Sequence, residues 1–318
     1  MTEFGFHASH EQIHPSELLA AVVHAERAGF DAAMCSDHFS PWSARQGHSG
    51  FAWSWLGAAL QATSLPFGVV NAPGQRYHPA IIAQAAATMA LISDGRFTLG
   101  VGAGERLNEH VVGQGFPSVR GRHERLREAL EIIRLLWRGG YQSYEGRHLQ
   151  LEDARVWDLP DTPPVIAVAA SGQDSAALAA DLGDGLFATE PKSSIVGHYR
   201  DAGGTGPRYA EVPLAWATDE EQAVRAAKET SRWAVTGWKV MSELPNPANF
   251  DAATAWVEDH HIRQQFSVGP DPAVHLAKAR AYVEAGYDHI VLQNAGPDPD
   301  GFLDFFAAEL AAPLRAMG

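Results

Sequence analysis

The chain has 318 residues, 46% of them hydrophobic, with 24 Lys and Arg against 38 Asp and Glu, a net charge of −14. That balance excludes nucleic acid or an anionic membrane as a general partner, since both demand positive surface, and it makes any gathering of cations notable. The single cysteine, Cys35, cannot close an internal disulfide, no apolar run reaches the ~20 residues of a membrane span, and "MTEFGFHASHEQ" has neither a basic nor an apolar leader region, so a cytoplasmic protein is expected.

In chain order, "EFGFHA" (3–8) reads as a strand. "PSELLAAVVHAERAG" (15–29) reads as a helix, with Pro15 at its start and Gly29 at its end. "FDAAMCS" (30–36), "LPFGVVN" (65–71) and "RFTLGVG" (96–102) follow as strands. "RHERLREALEIIRLLWRGG" (122–140) places Leu126, Leu130, Ile133 and Trp137 at helical spacing. Residues 141–162 read as a hairpin insertion. "PPVIAVA" (163–169), "GLFATE" (185–190) and "EVPLAWA" (211–217) are strands, and residues 219–235 open a helix on acids. Residues 236–264 read as helices broken by "PNPANF"; a helix (271–287), a strand (289–295) and a last helix (301–318) close the chain. Most strands are continuous apolar runs, as in a parallel sheet covered on both faces. Eight of them alternating with helices predict a (β/α)8 TIM barrel over 1–318 with insertions at 141–162 and 236–264; a doubly wound open sheet is the alternative.

In such a barrel the site lies where strands end. Strand one is followed by Ser9, His10 and Glu11; strand two by Asp37, His38 and Trp42 of "CSDHFSPW"; strand four by Glu105 and Asn108 of "AGERLNE". Strand five is followed by Ser171 and Gly172, and strand six by Thr189, Glu190 and Lys192. His38 is either a loop histidine or a general base able to work near neutral pH. Glu105 is either an acid in a glycine turn or a group beside a flat ligand admitted by Gly102, Ala103 and Gly104. Leu107 breaks the dinucleotide glycine fingerprint, so a nicotinamide cofactor is not supported. Trp53 and Trp55 read as packing, Trp42 as a ligand wall, and Cys35 as a buried strand residue. A metal site built on His10, His38, His48 and Asp37 lacks a paired-histidine motif, and no metal is expected.

"SDHFSPW", "RYHPAIIAQAAATMA", "RFTLGVGAGERLNE" and "IAVAASG" together resemble the luciferase-like deazaflavin oxidoreductases, nearest to the coenzyme F420-dependent glucose-6-phosphate dehydrogenase group. The similarity runs over nearly the whole chain. It implies a homodimeric TIM barrel that moves a hydride from C1 of a hexose 6-phosphate to the deazaflavin; dehydrogenation of an unphosphorylated alcohol is the alternative. It further implies His38 as the base, Glu105 as the acid facing the ring, and Trp42 and Glu11 in the sugar pocket. Asp37, Val69, Val70, Ala72, Ala103, Gly104, Asn108, Ala169, Ala170, Ser171 and Gly172 would hold the cofactor, with a cis peptide at Val69–Val70. Thr189, Lys192, Lys239 and Arg263 would hold the substrate phosphate. Glu190 stands where the family often has serine, able to repel that phosphate or to pair with Lys192.

Overall fold

The structure, a computed structural model, describes residues 2–317. Eight parallel strands form its centre: β1 Glu3–Ala8, β2 Ala32–Ser36, β3 Phe67–Asn71, β4 Phe97–Val101, β5 Val165–Ala169, β6 Gly185–Ala188, β7 Arg208–Ala215 and β8 His289–Asn294. Each pairs with the next, β8 pairs with β1, and β6 pairs with β7 (Phe187 with Tyr209), so the sheet closes on itself. This closure settles the choice between barrel and open sheet.

Strand parity sorts the side chains. On β1, Phe4, Phe6 and Ala8 join the core between barrel and helices, as do Ala210, Val212 and Leu214 on β7. The barrel's interior is filled by Met34, Ala167, Phe187 and Val291. A strand alternates faces residue by residue, so His7 and Glu211 must turn inward. Burial on both faces explains why the strands read as unbroken apolar runs.

The helices sit close to where sequence places them. Pro15–Ala28 starts on proline, is capped by the His14 side chain, and ends on Gly29 at φ 93°. A side chain with a Cβ is strained there, so glycine is the natural stop. Val119–Leu136 begins three residues before the expected start, because the Ser118 hydroxyl accepts from Gly121 N and caps it. Glu220–Ser231 runs into a 3-10 turn at Arg232–Val235. The final helix carries a π turn at Phe306–Leu310, whose Phe306 stacks on Phe30. Burying a phenylalanine of this kind contributes about 1.5–3 kcal/mol, so this contact helps tie the chain's end to the barrel.

Both expected insertions are present. Gln142–Glu145 and Gln150–Ala154 pair as an antiparallel hairpin. Residues 236–264 hold short helices, Trp238–Met241, Pro247–Ala253 and Asp259–Gln265, which cover the C-terminal ends of the strands.

Candidate active site

Two joined lobes open at the strands' C-terminal ends, with cavity volumes of about 390 and 300 Å³. They share His38, Val70, Glu105, Phe187, Thr189 and Trp238. The chemistry-bearing groups thus stand on the seam between them.

His38 leaves the end of β2 and lies between two carboxylates, its side chain 10% exposed. Its Nδ1 lies 2.9 Å from Glu11 Oε1, and its Nε2 lies 3.7 Å from Glu105 Oε2. Burial opposes an imidazolium here, yet the Glu11 charge, and then Glu105, outweigh it and raise the His38 pKa to about 9. Glu11 shows the reciprocal effect. Burial pushes its carboxyl up, but His38 and His7 hold it down at about 2. Glu105 is pushed up by burial, against the pull of His38 and with added repulsion from Glu11. One carboxylate that stays charged and one that favours its proton therefore face the same imidazole.

The loop carrying His38 is pinned from below. Asp37 is buried and accepts from Trp53 Nε1 at 3.0 Å and Asn71 Nδ2 at 2.7 Å. Asn108 Oδ1 accepts from Phe39 N at 2.9 Å. Arg76 lies between Asp37 (3.4 Å) and Glu109 (3.5 Å), and burial lifts Glu109 to about 7 despite the hydrogen bond from Arg76 N. Trp42 stacks on Trp233 at 4.6 Å and meets Phe250 edge-on, so it is both a wall of the smaller lobe and part of a local core. Trp53 and Trp55 pack in the main core, as does Cys35.

The larger lobe has the form of a slot. Ala72, Gly102, Ala103 and Ala169 line it, and a Cβ on Gly102 would stand 3.5 Å from that of Ala169. Gly104 lies at φ 86°, where an added Cβ would meet Glu109 Cγ at 2.9 Å. Asn71 Oδ1, in the lobe's wall, is buried with no hydrogen-bond partner among the described residues. Small walls and an unsatisfied buried acceptor fit a flat polar ring such as a deazaflavin.

Most residues expected at the site line one lobe or both: Glu11, Asp37, His38, Trp42, Val70, Ala72, Ala103, Gly104, Glu105, Asn108, Ala169, Ala170, Ser171, Thr189 and Lys239. Four do not. Val69 is fully buried in the core on the far side of β3. Gly172 precedes the helix Gln173–Leu182, where its N–H is taken by Ser175 Oγ at 3.2 Å. Lys192 is half exposed and paired with Glu190 at 2.7 Å, the second of the two roles open to that glutamate. Arg263 is held by Glu220, at 3.0 Å, and by Glu221 at the start of the neighbouring helix. The expected convergence of Lys192, Lys239 and Arg263 is therefore not present: opposite charges closer in space engage two of them. The expected cis bond at Val69–Val70 is also corrected, since no peptide bond among the described residues is cis. β3 runs through this step in continuous register, Val69 with Leu99 and Val70 with Gly100.

The metal alternative gains no support, as no group of three or more His, Cys, Asp or Glu is gathered for an ion among the described residues. His10 instead packs edge-on against Trp55 at 4.7 Å, and burial lowers its pKa to about 4. Residues that sequence did not single out include Arg122 and His123 in the larger lobe and Glu211 and Gln293 in the smaller.

The chain is similar to known proteins over nearly its whole length. A 33% identical relative, the F420-dependent glucose-6-phosphate dehydrogenase of Beutenbergia cavernae, aligns over 99% of this chain and 98% of its own length. The F420-dependent hydroxymycolic acid dehydrogenase of Mycobacterium tuberculosis is 36% identical, over 96% of this chain and 87% of its own. Among solved structures, an F420-dependent secondary alcohol dehydrogenase in complex with an F420–acetone adduct superposes with a TM-score of 0.91 at 29% identity, covering 98% of this chain and 99% of that one. The model of the luciferase-like monooxygenases matches residues 1–289, and the chain belongs to that family.

Proposed function

We propose that the protein is a coenzyme F420-dependent dehydrogenase that oxidises C1 of a hexose 6-phosphate to the 6-phosphonolactone. The observation that carries this reading is the Glu11–His38–Glu105 set, with His38 and Glu105 on the seam between the two lobes and Glu11 in the smaller one. The relatives named for the same cofactor support it, and those named for glucose 6-phosphate support the sugar.

Val70, Ala72, Ala103, Gly104, Ala169 and Ala170 would flank the cofactor, with Asn71 and Asp37 at a polar edge. A bound deazaflavin supplies a two-electron acceptor. The protein's part is to bring the substrate hydroxyl to His38. Glu11 stays ionised 2.9 Å from Nδ1, and its charge favours the proton on that nitrogen, so neutral His38 presents the Nε2 lone pair. As Nε2 takes the hydroxyl proton, Glu11 stabilises the growing imidazolium, the role of the third member of a catalytic triad. Glu105 retains its proton more readily than an ordinary carboxyl and holds it on the seam beside the larger lobe. Trp42 and Trp233 of the smaller lobe would wall the sugar, and Lys239, next to the seam residue Trp238 but in the lining of the larger lobe, is the cation offered to its phosphate.

Mixing the protein with oxidised F420 and glucose 6-phosphate should abolish the deazaflavin's long-wavelength absorbance. Its persistence with every hexose phosphate would overturn the reading. A second reading, oxidation of an unphosphorylated alcohol, is favoured by the engaged state of Lys192 and Arg263. Isopropanol in place of the sugar phosphate separates the two.

A further inference from the structure

The barrel interior carries a charged pair above its apolar filling. His7 on β1 and Glu211 on β7 both turn inward, and His7 Nδ1 lies 3.2 Å from Glu211 Oε2, with side-chain exposures of 1% and 15%. Burial works against a charged His7, but Glu211 outweighs it and raises the imidazole's pKa. Replacing such a pair with well-packed apolar side chains is often neutral or stabilising, so fold stability alone gives little reason for it. Glu211 also lines the smaller lobe. One of its oxygens faces the His7 ring across 3.2 Å, an ion pair that restrains the carboxylate and leaves acceptor capacity toward the lobe with little freedom to lose on binding.

The lobe's lining is rich in acceptors. It includes Glu11, Glu105, Glu190, Glu211, Gln265 and Gln293, and no Lys or Arg among the described residues. That composition suits an uncharged part of a substrate bearing several hydroxyls. Glu211 is near enough for its charge to be felt at Glu105, and His7 feels both Glu11 and His38. Glu211, His38 and Glu105 line this one lobe of about 300 Å³.

We propose that Glu211, positioned by His7, accepts a hydrogen bond from a second hydroxyl on the carbon next to the one oxidised at His38, so that the site selects vicinal diols over mono-alcohols. The proposal rests on the dehydrogenase reading above. It makes Glu211 a specificity residue and His7 a positioning residue.

The test uses the F420-loaded enzyme with glucose 6-phosphate, 2-deoxyglucose 6-phosphate and isopropanol, in the wild type, Glu211→Gln and His7→Gln. A charge-assisted hydrogen bond is worth about 1.5–3 kcal/mol, a factor of roughly 10–100. Wild-type kcat/KM should favour the 2-hydroxylated sugar phosphate by that factor, and both variants should shrink the preference about tenfold. A purely structural pair would lower all three substrates alike, and an unchanged ratio overturns the proposal while leaving the dehydrogenase intact. A second readout needs no turnover. Trp42, Trp233 and Trp238 line the lobe, so their fluorescence reports binding of 1,5-anhydroglucitol 6-phosphate, which keeps the neighbouring hydroxyl but has none to oxidise at C1. Weaker binding in Glu211→Gln supports the proposal even if no substrate reduces the cofactor, a result that would defeat the dehydrogenase reading alone. Equal binding in both proteins overturns it.

Discussion

Replacing Glu11 with glutamine should move the pH dependence of the reaction by more than two units. In the free protein the His38 pKa stands at about 9, with Glu11 the main group opposing burial. At pH 7 a base with that pKa is neutral in only about one molecule in a hundred. The Henderson relation then predicts that kcat/KM, which reports free-enzyme groups, rises through pH 7 and 8 and levels above about 9. In Glu11→Gln, burial goes largely unopposed and His38 falls to or below its ordinary 6.5. The difference is about 3 kcal/mol at 1.36 kcal/mol per unit. The acid limb should shift down accordingly, while the plateau drops about tenfold or more because the imidazolium has lost its stabilising carboxylate. Stopped-flow loss of deazaflavin absorbance across this pH range measures both effects. A wild-type limb lying below pH 7, or a limb that the substitution leaves in place, would refute the electrostatic argument.

Three further outcomes follow from the same geometry. Glu105→Gln keeps the shape of the seam but cannot carry a proton, so kcat should fall about 10²–10⁴-fold with little change in cofactor affinity, checked by turnover and F420 titration. The raised His38 pKa stabilises the fold fully below its unfolded value of 6.5, and the contribution of about 3 kcal/mol is lost as pH rises through about 9; denaturant unfolding should show this loss in the wild type and not in His38→Asn. Glu190→Ser releases Lys192 from its 2.7 Å partner and should lower KM for glucose 6-phosphate severalfold while leaving KM for isopropanol unchanged, measured by steady-state kinetics.

Much of the fold was legible because double burial leaves a direct mark on sequence. Runs such as "PPVIAVA" and "HIVLQNA" admit few other readings. The barrel was legible from eight such strands alternating with helices, whereas the register that closes it, Phe187 opposite Tyr209 between β6 and β7, leaves no mark on sequence because backbone groups make the pairing. The site was legible where one residue at a strand end carries a distinctive group, as with His38, Glu105 and Trp42. It was hidden where only strand parity turns a side chain inward. His7 and Glu211 sit within strands read as buried, and only the placement of Phe6 and Val212 on the outer face shows that their neighbours point inward. Arg76 and Glu109 were missed for a related reason: their burial comes from a contact between two turns far apart in sequence. The carboxylates that engage Lys192 and Arg263 were not legible, because spacing along a chain does not register competitors. Glu220 and Glu221 open a helix beside Arg263 and take it.

We propose above that the seam between the lobes oxidises a sugar phosphate with coenzyme F420. The most direct test of this reading is the spectrum of the oxidised cofactor on the protein, recorded before and after glucose 6-phosphate is added at pH 9. The account predicts loss of the long-wavelength band in the wild type and its retention over the same time in His38→Asn. Retention of the band in the wild type with glucose 6-phosphate and every other hexose phosphate would contradict it.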